Sequence, residues 1–159
     1  MHSKATIDID NASGDEAPEP PSIRHWVCAA LGDLQPEAEI SVRIVSAAES
    51  AELNLRYRRK EGPTNVLSFP ADIPDFVEST LLGDLVICAA IVRKEATEQH
   101  KTLEAHWAHM LVHGTLHLLG HDHIEEAEAE TMEAIETATL GKLGFPPPYL
   151  STVEETESP

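Results

Sequence analysis

Four of the chain's nine histidines fall in one short run, His113-Gly114-Thr115-Leu116-His117-Leu118-Leu119-Gly120-His121-Asp122-His123. Apolar residues around the run recur at helical spacing as far as Gly120. Residues four apart lie on one helix face, so His113 and His117 can both reach a single metal ion. His109 shares that face but cannot complete the set. Eight residues separate it from His117, about 12 Å at the rise of an α-helix, whereas two nitrogens on one zinc are at most about 4 Å apart. A third ligand must come from chain that folds back. Gly120 suits a left-handed helix end, and His123 follows three residues later, which gives His-x3-His-x5-His with a turn built in. His121, next to the turn, is the reserve ligand. Asp122 could orient a ligand imidazole or cap the next helix, and the cap is the simpler role.

Three protein ligands leave one zinc position open for water or substrate, the catalytic arrangement rather than the structural one. In the metalloprotease pattern His-Glu-x-x-His the glutamate is the general base. Gly114 stands where that glutamate would be. The spacing therefore argues against peptide hydrolysis and asks for another substrate.

The elements that must hold these residues alternate along the chain. Ala5–Asp10 and Ile40–Val45 alternate apolar and polar residues as half-buried strands do. Asn65–Phe69 is a strand stopped by Pro70, and Leu81–Cys88 has the unbroken apolar character of a strand covered on both faces. Helices are predicted from Ser22 as N-cap to Gly32, with Trp26 in the core, and from the capping box Ser46-Ala47-Ala48-Glu49 through Tyr57. Others run from Ala89 to about Gln99, from the cap Thr102 to Leu119, and from Glu125 to Leu140. Buried bonding to a carbonyl is the expected fate of His106 and His109. On the last helix Met132, Ile135 and Leu140 point inward and the glutamates form a solvated face. Asp84 is expected to be structural. Thr64, Asn65 and Ser68 are polar groups that could line a cleft. The expected fold is α+β, with about four strands in a mixed sheet, helices mainly on one side and the metal-binding helix central.

At 159 residues the chain is one domain, expected over residues 1–150, with an acidic and disordered tail over 151–159. No apolar run approaches the ~20 residues needed to cross a bilayer, and the start lacks the basic and apolar stretches of a signal peptide. Cys28 and Cys88 are read as buried thiols in a reducing cytoplasm. A net charge of −17 argues against a general nucleic-acid binder. The charge is uneven, however. Residues 124–159 carry nine Glu against one Lys, whereas Arg56, Arg58, Arg59 and Lys60 lie within five positions. Such a patch can hold a few phosphates of one substrate while the body repels bulk RNA. The same cations also suit the C-terminal end of a helix.

Three blocks in order carry a resemblance. The run His113–His123, preceded by Glu104-Ala105-His106-Trp107-Ala108-His109, resembles the signature of the YbeY family of bacterial endoribonucleases. Leu53–Arg58 with Pro63–Pro70, and Leu82–Ile87, match further blocks, so the resemblance covers roughly residues 37–149. It implies a zinc-dependent RNase specific for single-stranded RNA, acting in maturation of the small-subunit ribosomal RNA 3′ end and in ribosome quality control. The partners it implies are ribosomal RNA and the ribosome or its proteins, with no DNA and no membrane. It also implies that Arg58 acts in catalysis, as a phosphate clamp. The expected ligands of one Zn2+ are then His113, His117 and His123, and the general base would be His121, His109 or the hydroxide itself. A metal-dependent hydrolase of other substrates and a ribosome-assembly protein with a structural metal are the alternatives.

Overall fold

The computed structural model describes residues 5–32, 37–74, 76–77, 79–121 and 125–148. Four strands form one mixed sheet: β1 (Thr6–Asn11), β2 (Glu39–Val45), β3 (Val66–Pro70) and β4 (Leu81–Cys88), in the order β1-β2-β4-β3. β1, β2 and β4 run parallel, and β3 lies antiparallel to β4 at the sheet edge. The helices are α1 (Pro20–Leu31), α2 (Ala47–Arg58), α3 (Ala89–Glu98), α4 (Leu103–Leu118) and α5 (Glu126–Lys142). The fold is α+β, as expected.

Period-two alternation assigns the two faces of the sheet. Ile40, Val42 and Ile44 of β2, Val66 of β3, and Leu85 and Ile87 of β4 join the main core with α1, α4 and α5. Val45, Leu67, Val86 and Cys88 face the other way and pack with Leu53 of α2 and with Ala90 and Ile91. β4 is thus covered on both sides, which is why its sequence hardly alternates. Most helical mass lies on the first face, and α2 covers part of the second.

Local chemistry sets the helix ends. Pro20 and Pro21 occupy the first positions of α1, where a missing N–H costs nothing, so the helix starts before the expected cap Ser22. Ser46 accepts a hydrogen bond from the Glu49 N–H, but the Glu49 carboxylate turns to Arg43 instead of closing the capping box. Thr102 caps α4 by accepting from the Ala105 N–H.

α4 is the most buried helix, with eleven of its sixteen residues inside, and it packs against α1, α3, α5, β3 and β4. Trp107, Leu111 and Leu116 are nearly or fully buried, each contributing on the order of 2 kcal/mol of apolar burial. Polar groups on so covered a helix must find partners within the protein, and α4 carries four histidines. A left-handed reversal ends it. Gly120 has φ +102°, its N–H reaches the His117 carbonyl, and the His121 N–H reaches back to that of Leu116. Both bonds are those of a Schellman end, which favours glycine at that position.

Candidate active site

His113 and His117 stand one turn apart on α4 with their Nε2 atoms 3.2 Å apart. That separation fits two ligands of one zinc ion, for which Zn–N distances of ~2.1 Å require nitrogens within about 4 Å. His113 is about a quarter exposed, so this pair meets solvent on one side. Among the described residues no group of three His, Cys, Asp or Glu has metal-binding geometry. The expected third ligand, His123, lies outside the described residues, as do Asp122 and the acidic tail.

Behind the pair lies a carboxylate. Glu136 of α5 is fully buried, and its Oε2 accepts from Nδ1 of His113. Its Oε1 lies 3.6 Å from Nε2 of His109. A carboxylate on Nδ1 fixes the proton there and leaves the Nε2 lone pair of His113 directed at His117, the usual way a metal-binding imidazole is oriented. Burial pushes His109 below the ordinary imidazole range. Glu136 pulls the other way, Lys101 and His113 push down, and the net shift is downward. His109 is therefore neutral at pH 7, buried behind the pair.

α2 brings the arginine. Asn54 donates to the Gly62 carbonyl, and the Ser50 hydroxyl bridges the N–H and carbonyl of Thr64. These bonds hold the turn after α2 against the helix, so that Arg58, its last residue, lies beside β3. Arg56 pairs with Glu52 one turn earlier, the surface role open to it from the sequence. Among the described residues Arg58 has no carboxylate within ion-pair distance. A cleft of about 880 Å³ passes over the edge strand β3, and Tyr57, Arg58, Ser68, Phe69, His113, His117 and His121 all line it. A helix end on one face of the sheet and a helix on the other thus meet across β3.

A second, partly buried network fixes that strand. Glu95 of α3 bonds Nε2 of His106 at 2.8 Å and accepts two bonds from the Asn65 amide at 3.1 and 3.2 Å. The Asn65 carbonyl in turn accepts from the Cys88 N–H. Burial raises the Glu95 carboxyl, but the bonds from His106 and Asn65, with His106 and Lys101 nearby, more than reverse this, and the pKa falls below its ordinary 4.5. A depressed carboxyl stabilises fully above the unfolded value and loses that contribution as pH falls through the folded one. The stability advantage of the parent over Glu95→Gln is therefore expected to be complete above about pH 5 and to shrink below 4.5. Urea titrations of both proteins across pH 3–7 check it, and a gap that widened on acidification would contradict the assignment.

Residues 8–144 match the family model described as Endoribonuclease YbeY. The chain is 57% identical over 149 residues to Endoribonuclease YbeY of Cellvibrio japonicus (strain Ueda107), covering 92% of this chain and 84% of that protein. The chain belongs to the YbeY endoribonuclease family. Its activity class is therefore that of a nuclease acting on RNA. A solution structure of TM1509 from Thermotoga maritima shares the fold, with a TM-score of 0.55 and 24% identity over 87% of this chain and 92% of that one.

The matched span holds every residue of the cleft as well as Glu136 and His123. Of the residues expected to act, Arg58, His113 and His117 line one cleft; His109 does not, and His121 does. His106 and His109 are buried against carboxylates, not the expected carbonyls. Reading the α5 glutamates as one solvated face missed Glu136. The signal was present, since Glu136 lies four residues after Met132 and four before Leu140, on the helix's apolar stripe. Ser68 and Asn65 do reach the cleft, but Ser68 donates to the Gly114 carbonyl and Asn65 holds Glu95. Gly114 packs against the sheet, where a Cβ would lie 2.8 Å from Leu85 Cδ2 and 3.3 Å from the Ser68 hydroxyl. A side chain there would press on these neighbours, and with glycine at this position the helix carries no metalloprotease base.

Proposed function

We propose that this chain is a zinc-dependent endoribonuclease that hydrolyses phosphodiester bonds in single-stranded RNA. Its substrate is ribosomal RNA, in small-subunit 3′-end maturation and ribosome quality control in the cytoplasm. The observation carrying this reading is the 3.2 Å approach of two imidazole Nε2 atoms in a cleft that Arg58 also lines. His113, His117 and His123 would hold the zinc, which supplies Lewis-acid activation of water near neutral pH. The chain's own residues do the rest. Glu136 holds the Nδ1 proton of His113 and so keeps Nε2 available as a ligand. Arg58 offers a planar fork that binds two oxygens of one phosphate and offsets charge gathering there as the bond to the leaving oxygen breaks. His121, at the cleft wall, would exchange a proton with the reacting oxygens, whereas His109 is shut away behind Glu136.

The test is metal content and cleavage measured together. The purified chain is expected to hold one zinc, to cut single-stranded RNA in preference to duplex RNA and to leave peptides intact. Chelation should stop cleavage and added zinc should restore it. Undiminished cutting by the metal-stripped protein would sink the reading. A metal retained in a protein inert to RNA would favour a structural site in a ribosome-assembly factor. Arg58→Ala is expected to keep its zinc and lose roughly 10²- to 10³-fold in kcat/KM, with Arg58→Lys recovering only part because it cannot bind two oxygens in one plane.

A further inference from the structure

The cleft offers more than a metal site and a cation. Tyr57, next to Arg58 on α2, is 59% exposed although it is one of only seven Phe, Trp and Tyr side chains in the chain. It stands edge-to-face on Phe69 of β3, with ring centroids 5.2 Å apart at 72°. Both rings line the cleft that contains His113 and His117. The contact with Phe69 steadies the tyrosine ring while most of it stays open to solvent, so a flat ligand could cover it with little loss of side-chain freedom.

The hydrogen-bonding groups beside it point the same way. Reading a base by its edges needs donors and acceptors that are available. The Asn65 amide is spent on Glu95 and its side-chain oxygen on the Val66 N–H, while the Ser68 hydroxyl donates to Gly114. What Tyr57 and Arg58 themselves add to the described lining of the cleft is ring surface next to a guanidinium. Every nucleobase has a face that stacks, and such stacking tolerates any sequence but requires the base to be out of a duplex. A base on Tyr57 with its phosphate on Arg58 uses adjacent residues for adjacent parts of one nucleotide.

We infer that Tyr57, braced by Phe69, is a stacking shelf for one unpaired nucleobase of the substrate strand, a subsite that selects single strands without reading sequence. The inference rests on the ribonuclease reading above, and its test separates the two. A short RNA carrying 2-aminopurine at successive positions is bound to the metal-loaded chain under single-turnover conditions, and fluorescence and cleavage are followed together. Quenching is expected to peak at one position for the parent and for Tyr57→Phe, and to vanish for Tyr57→Ala. Tyr57→Ala should raise KM by about 5- to 150-fold, the range for loss of one stacked base, with zinc content unchanged. An abasic site at the quenched position should weaken the parent equally and cost Tyr57→Ala nothing further. If the parent cuts the RNA but Tyr57→Ala binds and quenches as the parent does, the shelf is wrong and the nuclease reading survives. If the parent neither binds nor cuts, both fall.

Discussion

His113→Ala and His117→Ala are each expected to abolish zinc binding and RNA cleavage. His117→Ala should keep its fold stability, whereas His113→Ala should also lose stability because it leaves the buried Glu136 carboxylate without its Nδ1 donor. Glu136→Ala is expected to fail differently. Its carboxylate has no exposure and bonds His113 while facing His109, so its removal leaves two imidazoles without the charge that orients them. Loss of such an outer partner typically weakens metal affinity by about 10- to 100-fold, and leaving a buried imidazole N–H without its acceptor costs about 1–3 kcal/mol. Glu136→Ala should therefore lose affinity and fold stability together. Glu136→Gln, whose side-chain oxygen can still accept from Nδ1, should recover most of the affinity. Competition with a zinc chelator, alongside denaturant unfolding of the metal-free proteins, reads both effects. Full zinc affinity in Glu136→Ala would show that His113 needs no help from α5.

The second large effect lies in the sheet. Gly83 in β4 has φ +143°, and a Cβ there would lie 2.2 Å from the Phe69 carbonyl oxygen and 3.0 Å from the Ala71 nitrogen. Both are backbone atoms of the chain around the edge strand, so nothing can swing aside. Gly83→Ala is expected to cost about 3 kcal/mol or more, from backbone strain and overpacking combined. It should also displace β3, and with it Phe69 and Ser68 in the cleft. Gly62→Ala is the control, since its φ is +86° but a Cβ there meets nothing within 4 Å; about 1 kcal/mol is expected from conformation alone. Equal denaturation midpoints for the two variants would refute the steric account. If Gly83→Ala folds, it should also cleave more slowly than its folded fraction explains.

How much of this was legible before folding depends on the range of the interaction concerned. Periodicity located the four strands to within about a residue and all five helices, because each period reports a face that the chain itself must bury. The caps at Ser46 and Thr102 were legible for the same reason, since the bonds that make them span three residues. Helix geometry alone put His113 and His117 on one face. Where local signals competed, prolines won at the start of α1, and at Glu49 the arginine six residues earlier on β2 displaced the capping box.

The sequence by itself determined the α+β alternation, the two histidines one turn apart and the exclusion of a glutamate base at Gly114. Only the tertiary structure decided what surrounds them. It carried α2 to one side of β3 and α4 to the other, so that Tyr57 and Arg58 share a cleft with residues more than fifty positions later. It buried one glutamate of an acidic helix against His113, and it committed Asn65 and Ser68 to internal bonds. The physical reason is that repeating patterns record which face of an element is covered, not what covers it. A glutamate on an apolar stripe becomes legible only once the packed helix supplies the imidazoles that make its burial tolerable.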